Sequence, residues 1–258
     1  MKERIQKSLA NAGVASRRNV EQLVLEGRVA VNGHIVTELP VLIDPEKDKV
    51  QVDGENIRLA QRRGARRVYL LLNKPKGVYS TNVAQGVQVR AVDLLPPGLP
   101  ERVYPVGRLD AQSKGLLLLT NDGELTHRLT HPKFGIPRTY RAVVDGEVHP
   151  AVVSELQKGV WLADARGGKP KKAGKSQVRV VKRGDDQSVL EITMREGINP
   201  QVRRILAKLG HKVRDLTRIR LGSLTLEGLP VGKVRALSPR EVSELKRLAQ
   251  KGERDQPE

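Results

Sequence analysis

The chain has 258 residues, 38% hydrophobic and 29% charged, which suits a soluble globular protein with a sizeable core and two domains. No window approaches the roughly 18 apolar residues of a membrane helix, the charged start Met1-Lys2-Glu3-Arg4-Ile5 lacks the form of a secretory signal, and the absence of cysteine excludes disulfides and thiolate metal sites. The net charge of +18 points to a polyanionic partner held through phosphates.

A cytoplasmic protein with no membrane partner is therefore expected. Aromatic residues are only 2%, with one Trp, one Phe and four Tyr. Such a chain cannot build a multi-ring stacking platform, so contact with nucleic acid should rest on backbone and shape, with one aromatic reserved for one base.

In chain order, residues 2–12 read as a short amphipathic helix with Ile5 and Leu9 on one face and Gly13 as its stop. Ser16 caps a second helix through Glu26, with Val20, Leu23 and Val24 inward and Gly27 as terminator. Asn32-Gly33 and Asp53-Gly54 each mark a hairpin. Residues 1–60 hold nine Lys/Arg and nine acids, so the whole basic excess lies beyond them. Positions 2–28 of this segment are nevertheless basic, which suggests one cationic face. The words Ile5-x-x-x-Leu9-Ala10, Gly13-Val14-Ala15-Ser16-Arg17-Arg18 and Gly27-Arg28-Val29-x-Val31-Asn32-Gly33 resemble the RNA-binding domain first known from a small-subunit ribosomal protein, the alpha-L motif. That resemblance gives Lys7, Arg17, Arg18 and Arg28 to RNA phosphates; without it they read as solvated surface charge.

Gln61 to Arg67 reads as a basic linker. Val68 to Leu72 is a buried strand ending at the turn Asn73-Lys74-Pro75-Lys76-Gly77, and Pro96 to Pro100 is a loop. Leu116 to Leu119 can only be a buried strand or part of a core helix, and its length favours the strand. Tyr140 to Val148 alternates as a strand, Ala151 to Gln157 reads as helix, and Arg166 to Arg183, with eight basic residues and no acid, reads as a mobile loop in which Lys171 and Lys172 meet RNA. Val189 to Met194 is a strand, Gln201 to Leu209 a helix, Val213 to Leu226 a strand interrupted at Gly222, and Pro239 to Gln250 the last helix. Residues 251–258 should form a disordered tail. The irregular mixture of strands and helices predicts an α+β fold rather than a wound βαβ one.

The stretch Val106-Gly107-Arg108-Leu109-Asp110-Ala111-Gln112-Ser113-Lys114-Gly115 carries the chemistry: a carboxylate beside a fixed cation, on a loop braced by the four-leucine strand. On its own, an Asp next to an Arg reads first as a structural ion pair. Gly-Arg-Leu-Asp before a hydrophobic strand, however, resembles the active-site motif of the RNA pseudouridine synthases. Arg102-Val103-Tyr104-Pro105 and Asn121-Asp122-Gly123-Glu124-Leu125 resemble their ribosomal RNA branch, RsuA/RluB.

The resemblance implies a small N-terminal alpha-L domain over 1–60, a linker over 61–67 and a mainly antiparallel-sheet catalytic domain over 68–250. It implies isomerisation of uridine to pseudouridine in ribosomal RNA with Asp110 as the catalytic carboxylate acting on a flipped-out nucleotide. Glu196 to Arg204 is similar to the family's late motif, giving Arg203 the pairing role beside Asp110 and Val202 an apolar wall, with Arg204 near the substrate; as helix residues alone, Arg203 and Arg204 would be solvated. Pro200 departs from the motif, as does Arg138 where Lys is usual. Arg138-Thr139-Tyr140 would lay Tyr140 against the uracil ring, whereas by pattern alone Tyr140 is core. Arg108 would contact phosphate or hold the flipped nucleotide.

Neither cofactor nor metal is expected. His127 and His131 stand four apart but lack the Glu of a zincin. The expected partner is ribosomal RNA or a pre-ribosomal particle, bound by a monomer. The Arg102-Val103-Tyr104-Pro105 lead-in and the His131-Pro132 to Tyr140 stretch resemble the large-subunit enzymes of that family, which implies large-subunit (23S) RNA, with small-subunit (16S) RNA as the alternative. A catalytically idle assembly factor on the same fold and a nucleotide N-glycosidase are the rival functions.

Overall fold

The computed structural model describes residues 2–59, 66–84, 86–99, 102–163, 168–195 and 201–254, with the backbone alone for residues 171, 201 and 251–254. The chain divides into two compact units, Met1–Arg66 and Arg67–Glu258.

The first unit contains β1 (Glu3–Arg4), α1 (Ile5–Asn11), α2 (Arg17–Leu25), β2 (Val29–Val31), β3 (His34–Val36), β4 (Leu42–Ile43), β5 (Val50–Val52) and β6 (Glu55–Ile57). The first helix starts later than expected: Glu3 and Arg4 pair with Ile43 and Leu42 instead of extending it. Ser16 caps α2 by accepting from the Asn19 N–H at 3.2 Å. The hairpins β2–β3 and β5–β6 turn at Asn32-Gly33 and Asp53-Gly54, all four at positive φ as such turns require. Ile5, Leu9, Val20, Val24, Val29, Ile43, Val50 and Val52 close one apolar core.

The second unit contains β7 (Tyr69–Lys74), β8 (Tyr104–Pro105), β9 (Lys114–Thr120), α3 (Gly123–Thr130), β10 (Arg138–Asp145), α4 (Pro150–Lys158), β11 (Trp161–Leu162), β12 (Lys171–Lys172), β13 (Ser176–Lys182), β14 (Gln187–Met194), α5 (Gln201–Lys208), β15 (Val213–Leu221), β16 (Leu224–Thr225), β17 (Val234–Ala236) and α6 (Pro239–Arg254). Among the described residues, nine strands form one sheet along the path β13-β14-β10-β15-β9-β7-β17, with β8 on β9 and β16 on β15. Every described pairing in it is antiparallel except β9–β15, which is parallel over only two pairs, Lys114 with Thr217 and Gly115 with Arg218. The α+β architecture agrees with the sequence reading.

Covering both faces of the sheet explains the leucine run. Leu116 and Leu118 pack with Leu125 and Leu129 of α3 and Leu245 and Ala249 of α6, while Leu117 and Leu119 pack with Leu70, Leu72, Val103 and Leu109. All four leucines are fully buried. A two-face burial of this kind gives a continuous apolar string instead of alternation. Farther along the sheet, α4 and α5 cover β10, β14 and β15 through Leu156, Val202, Ile205 and Leu206.

Three expectations need correction. The basic stretch 166–183 is no continuous loop: from Ser176 it forms the edge strand β13, because Val178 and Val180 alternate inward while Arg179 and Lys182 stay in water. The last helix continues to Arg254, four residues past its expected end and into the expected tail. The strand broken at Gly222 is a tight hairpin, β15–β16. Residues 61–65 of the expected linker and 255–258 of the expected tail lie outside the described residues.

Gly115 decides how close β9 and β15 can come. It has φ +106, and a Cβ there would lie 2.3 Å from the Arg218 carbonyl oxygen and 2.9 Å from its nitrogen. Gly115→Ala should therefore destabilise the protein by roughly 2–4 kcal/mol through backbone strain and overpacking. Urea unfolding measures it, and an alanine variant as stable as the wild type would show that the strands tolerate separation.

Candidate active site

Asp110 lies on the turn that leads into β9, and four backbone or hydroxyl contacts fix that turn. The Ser80 hydroxyl donates to the Leu109 carbonyl at 2.9 Å and accepts from the Leu109 N–H at 3.1 Å. The Gly77 N–H donates to the Ala111 carbonyl at 2.7 Å, and the Ser113 N–H donates to the Asp110 carbonyl at 3.0 Å. Leu109 itself is buried, so the side chain just before Asp110 anchors the turn in the core. Asp110 is half-buried and Arg108 exposed.

Register links the other groups. Directly opposed residues on neighbouring strands project to the same face. One such row crosses six strands: Lys74, Gly115, Arg218, Tyr140, Ile192 and Val178. With no side chain on Gly115, Lys74, Arg218 and Tyr140 become successive groups along one face. Tyr140 packs against both apolar clusters that line that face, one of them containing Leu109.

Lys74 and Arg218 are buried cations that the sequence reading passed over. Lys74 is fully buried, and its ammonium donates to the carbonyls of Val78 (2.7 Å), Pro75 (3.0 Å) and Ala111 (3.5 Å). Burial pulls its pKa down to about 8; Asp110 acts in the opposite direction and Arg218 adds to the fall. Arg218, 2% exposed, donates through Nε to the Leu116 carbonyl at 2.7 Å. The signals were present in the sequence: Arg218 keeps phase with the inward Leu216, and Lys74 ends an apolar strand just before Pro75.

The late motif reaches the same turn from α5. Arg203 donates to the Gln112 carbonyl at 3.1 Å and the Val213 carbonyl at 3.0 Å, joining α5 to both the Asp110 turn and β15. The Arg203 Nε and the Arg218 Nη2 are buried and without a hydrogen-bond partner among the described residues. Val202 is buried among Ile205, Leu206 and Leu216. Arg204 turns the other way and donates to the Ala163 carbonyl. Residues 196–200, where the motif begins, lie outside the described residues. Arg138 is buried, donates to the Leu129 carbonyl at 2.7 Å, and is held below its usual pKa by that burial.

The N-terminal unit keeps Arg17 and Arg18 exposed at the start of α2. Lys7 pairs with Glu3 at 2.5 Å. Arg28 is committed elsewhere: its Nε and Nη2 both meet the Asp53 carboxylate at 2.7 Å, bracing the second hairpin. Lys172 is exposed on β12, whereas the side chain of Lys171 lies outside the description. His127 and His131 face each other with ring centroids 5.2 Å apart, and no group of three metal-ligating residues occurs among the described residues.

The RNA pseudouridylate synthase family matches residues 68–208, and the S4 domain matches residues 3–45. The chain is 42% identical to the ribosomal large subunit pseudouridine synthase B of Bacillus subtilis, covering 97% of this chain and 98% of that one. It is also 42% identical to an uncharacterized RNA pseudouridine synthase of Aquifex aeolicus, over 95% of this chain and 94% of that one. A crystal structure of a pseudouridylate synthase superposes with a TM-score of 0.66 at 26% identity, covering 94% of this chain and 99% of the other.

Lys74 makes the buried charge measurable. Between about pH 8 and its ordinary value of 10.5 the folded chain has released a proton that the unfolded chain still holds. Stability from this group must therefore rise with pH across that window. In urea unfolding at stepped pH, the wild type should gain stability relative to Lys74→Met over that range; parallel pH profiles would contradict a buried ammonium.

Proposed function

The chain belongs to the RNA pseudouridylate synthase family, and on that premise we propose that it converts uridine to pseudouridine in large-subunit ribosomal RNA, with Asp110 as the catalytic carboxylate. The observation that supports the reading is the fixed Asp110 turn, whose carboxylate acts electrostatically on the buried Lys74, which leads into the strand whose Gly115 shares a row with Lys74, Arg218 and Tyr140, and whose Gln112 carbonyl accepts from Arg203. The large-subunit assignment follows the Bacillus subtilis relative.

The reaction breaks the bond between ribose C1′ and uracil N1 and forms one between C1′ and C5. The proton leaves C5, N1 gains one, and the mass is unchanged. Asp110 supplies the electron pair that holds the detached fragment and is returned as a free carboxylate at the end. The work of the protein is then to expose that carboxylate in a dry, cationic pocket and to receive a nucleotide turned out of its stack.

In this scheme Arg203 is the charge partner and Val202 the apolar wall beside the ring. Tyr140 lies against the uracil, and Arg108 and Arg204 meet the phosphates around it. Lys7, Arg17, Arg18, Arg28 and the Lys171-Lys172 pair bind RNA phosphates, Arg28 also bracing the Asp53 hairpin. The chain acts as a cytoplasmic monomer on ribosomal RNA or a pre-ribosomal particle, with the RNA-binding module over 1–60 and catalysis over 68–250.

Asp110→Asn should abolish pseudouridine formation while changing RNA affinity less than about twofold, since a neutral isostere removes the nucleophile and little of the binding surface. Mapping of pseudouridine in ribosomal RNA incubated with each protein gives the first readout, and binding of labelled RNA the second. Modification by the Asn variant at the wild-type rate would refute the assignment. Release of free uracil would reveal an N-glycosidase instead.

A further inference from the structure

Trp161 is the one tryptophan of the chain, and it stands 56% exposed at the start of β11. A large ring held in water gives up a considerable apolar contribution to folding, so a surface tryptophan is informative where its neighbours indicate what covers it. Here the neighbours are cations. Lys172 is its register partner on β12 and is exposed. The Lys208 ammonium donates to the Trp161 carbonyl. Lys169 and Lys175 are exposed on either side of β12, and no acid occurs from 166 to 183. An apolar protein partner would require a wider apolar patch. A π-face among lysines instead matches single-stranded nucleic acid, whose bases stack while its phosphates neutralise the charge.

The position of this tryptophan relative to the active-site turn strengthens the case. Helix α5 fastens both places: Arg203 holds the Gln112 carbonyl beside Asp110, whereas Arg204 and Lys208 hold the carbonyls of Ala163 and Trp161. Arg203 and Lys208 are separated along that helix by only ~7.5 Å. Among the described residues Lys208 spends one of its three donors on that carbonyl, which leaves two for phosphate oxygens.

We infer that Trp161 stacks on an unpaired base of the RNA strand that carries the target uridine, with Lys172 and Lys208 beside that nucleotide's phosphates. The inference rests on the RNA reading above and extends it by naming a second, single-stranded contact next to the reacting one. It also gives the chain an aromatic contact that its low aromatic content does not suggest.

The single tryptophan is its own probe. Emission from Trp161 should be quenched when a single-stranded oligoribonucleotide is added, and far less by a fully paired stem of the same length. Trp161→Ala should raise KM for ribosomal RNA about tenfold, as expected for losing one stacked base, and leave kcat unchanged. Trp161→Phe should recover most of that loss and Trp161→Leu should not, which separates stacking from a merely structural role. Unaltered emission while a labelled oligoribonucleotide binds, or a wild-type KM in Trp161→Ala, would overturn the inference. If no pseudouridine formed in ribosomal RNA yet the quenching persisted, the functional reading would fail and the stacking contact would stand.

Discussion

The catalytic unit depends on one close approach, that of Gly115 to the backbone of Arg218. The sheet consists of two antiparallel parts, β13-β14-β10-β15 on one side and β9-β7-β17 on the other, and among the described residues the parallel β9–β15 contact is all that joins them in hydrogen-bonded register. Two residue pairs, the Arg218 to Leu116 hydrogen bond and the Lys114–Asp215 ion pair at 3.0 Å carry this join. A side chain at position 115 would push the parts apart. The candidate catalytic turn ends at that junction, so the geometry that admits no Cβ is also the geometry that sets Lys74, Arg218 and Tyr140 in one row beside the strand that the Asp110 turn enters.

Electrostatics follow from the same packing. Lys74, Arg218 and Arg138 are buried, and their recorded hydrogen bonds run to backbone carbonyls. Carbonyl dipoles engage some of these donors but leave the net charge in place, so burial still acts on it, as it does on Lys74 and Arg138. An anionic substrate entering this region would meet positive charge that is already oriented and needs no rearrangement, which is how a protein favours a developing negative charge over water. The buried, unpartnered Nε of Arg203 and Nη2 of Arg218 extend that description to individual atoms.

Much of this was legible in the chain. The leucine run specified a strand covered on two sides, Asn32-Gly33 and Asp53-Gly54 specified their hairpins, and Ser16 specified its cap. Asp110 stood out because short family words surround it. The omissions share a physical cause. Lys74 and Arg218 acquire their meaning only from cross-strand register between segments far apart in sequence, which local periodicity cannot supply. The basic stretch after Arg166 was read by composition, and composition hid the alternation of Val178 and Val180 that makes β13 a strand. Arg28 looked like a free surface cation because its partner Asp53 is 25 positions away.

The narrowness of the β9–β15 join also bears on the order in which the molecule assembles. The Arg218 to Leu116 bond spans 102 positions, whereas the β7–β9 and β10–β14 ladders close over much shorter stretches of chain and gain many contacts at once. Chain entropy makes a sparse, long-range closure late and slow relative to dense, local ones. The β7–β9 and β10–β14 ladders can therefore form around their own leucines and valines before the β9–β15 join locks them together. A chain still emerging from synthesis holds the Asp110 turn long before it holds the strand that completes the pocket, so catalytic competence arrives near the end of folding.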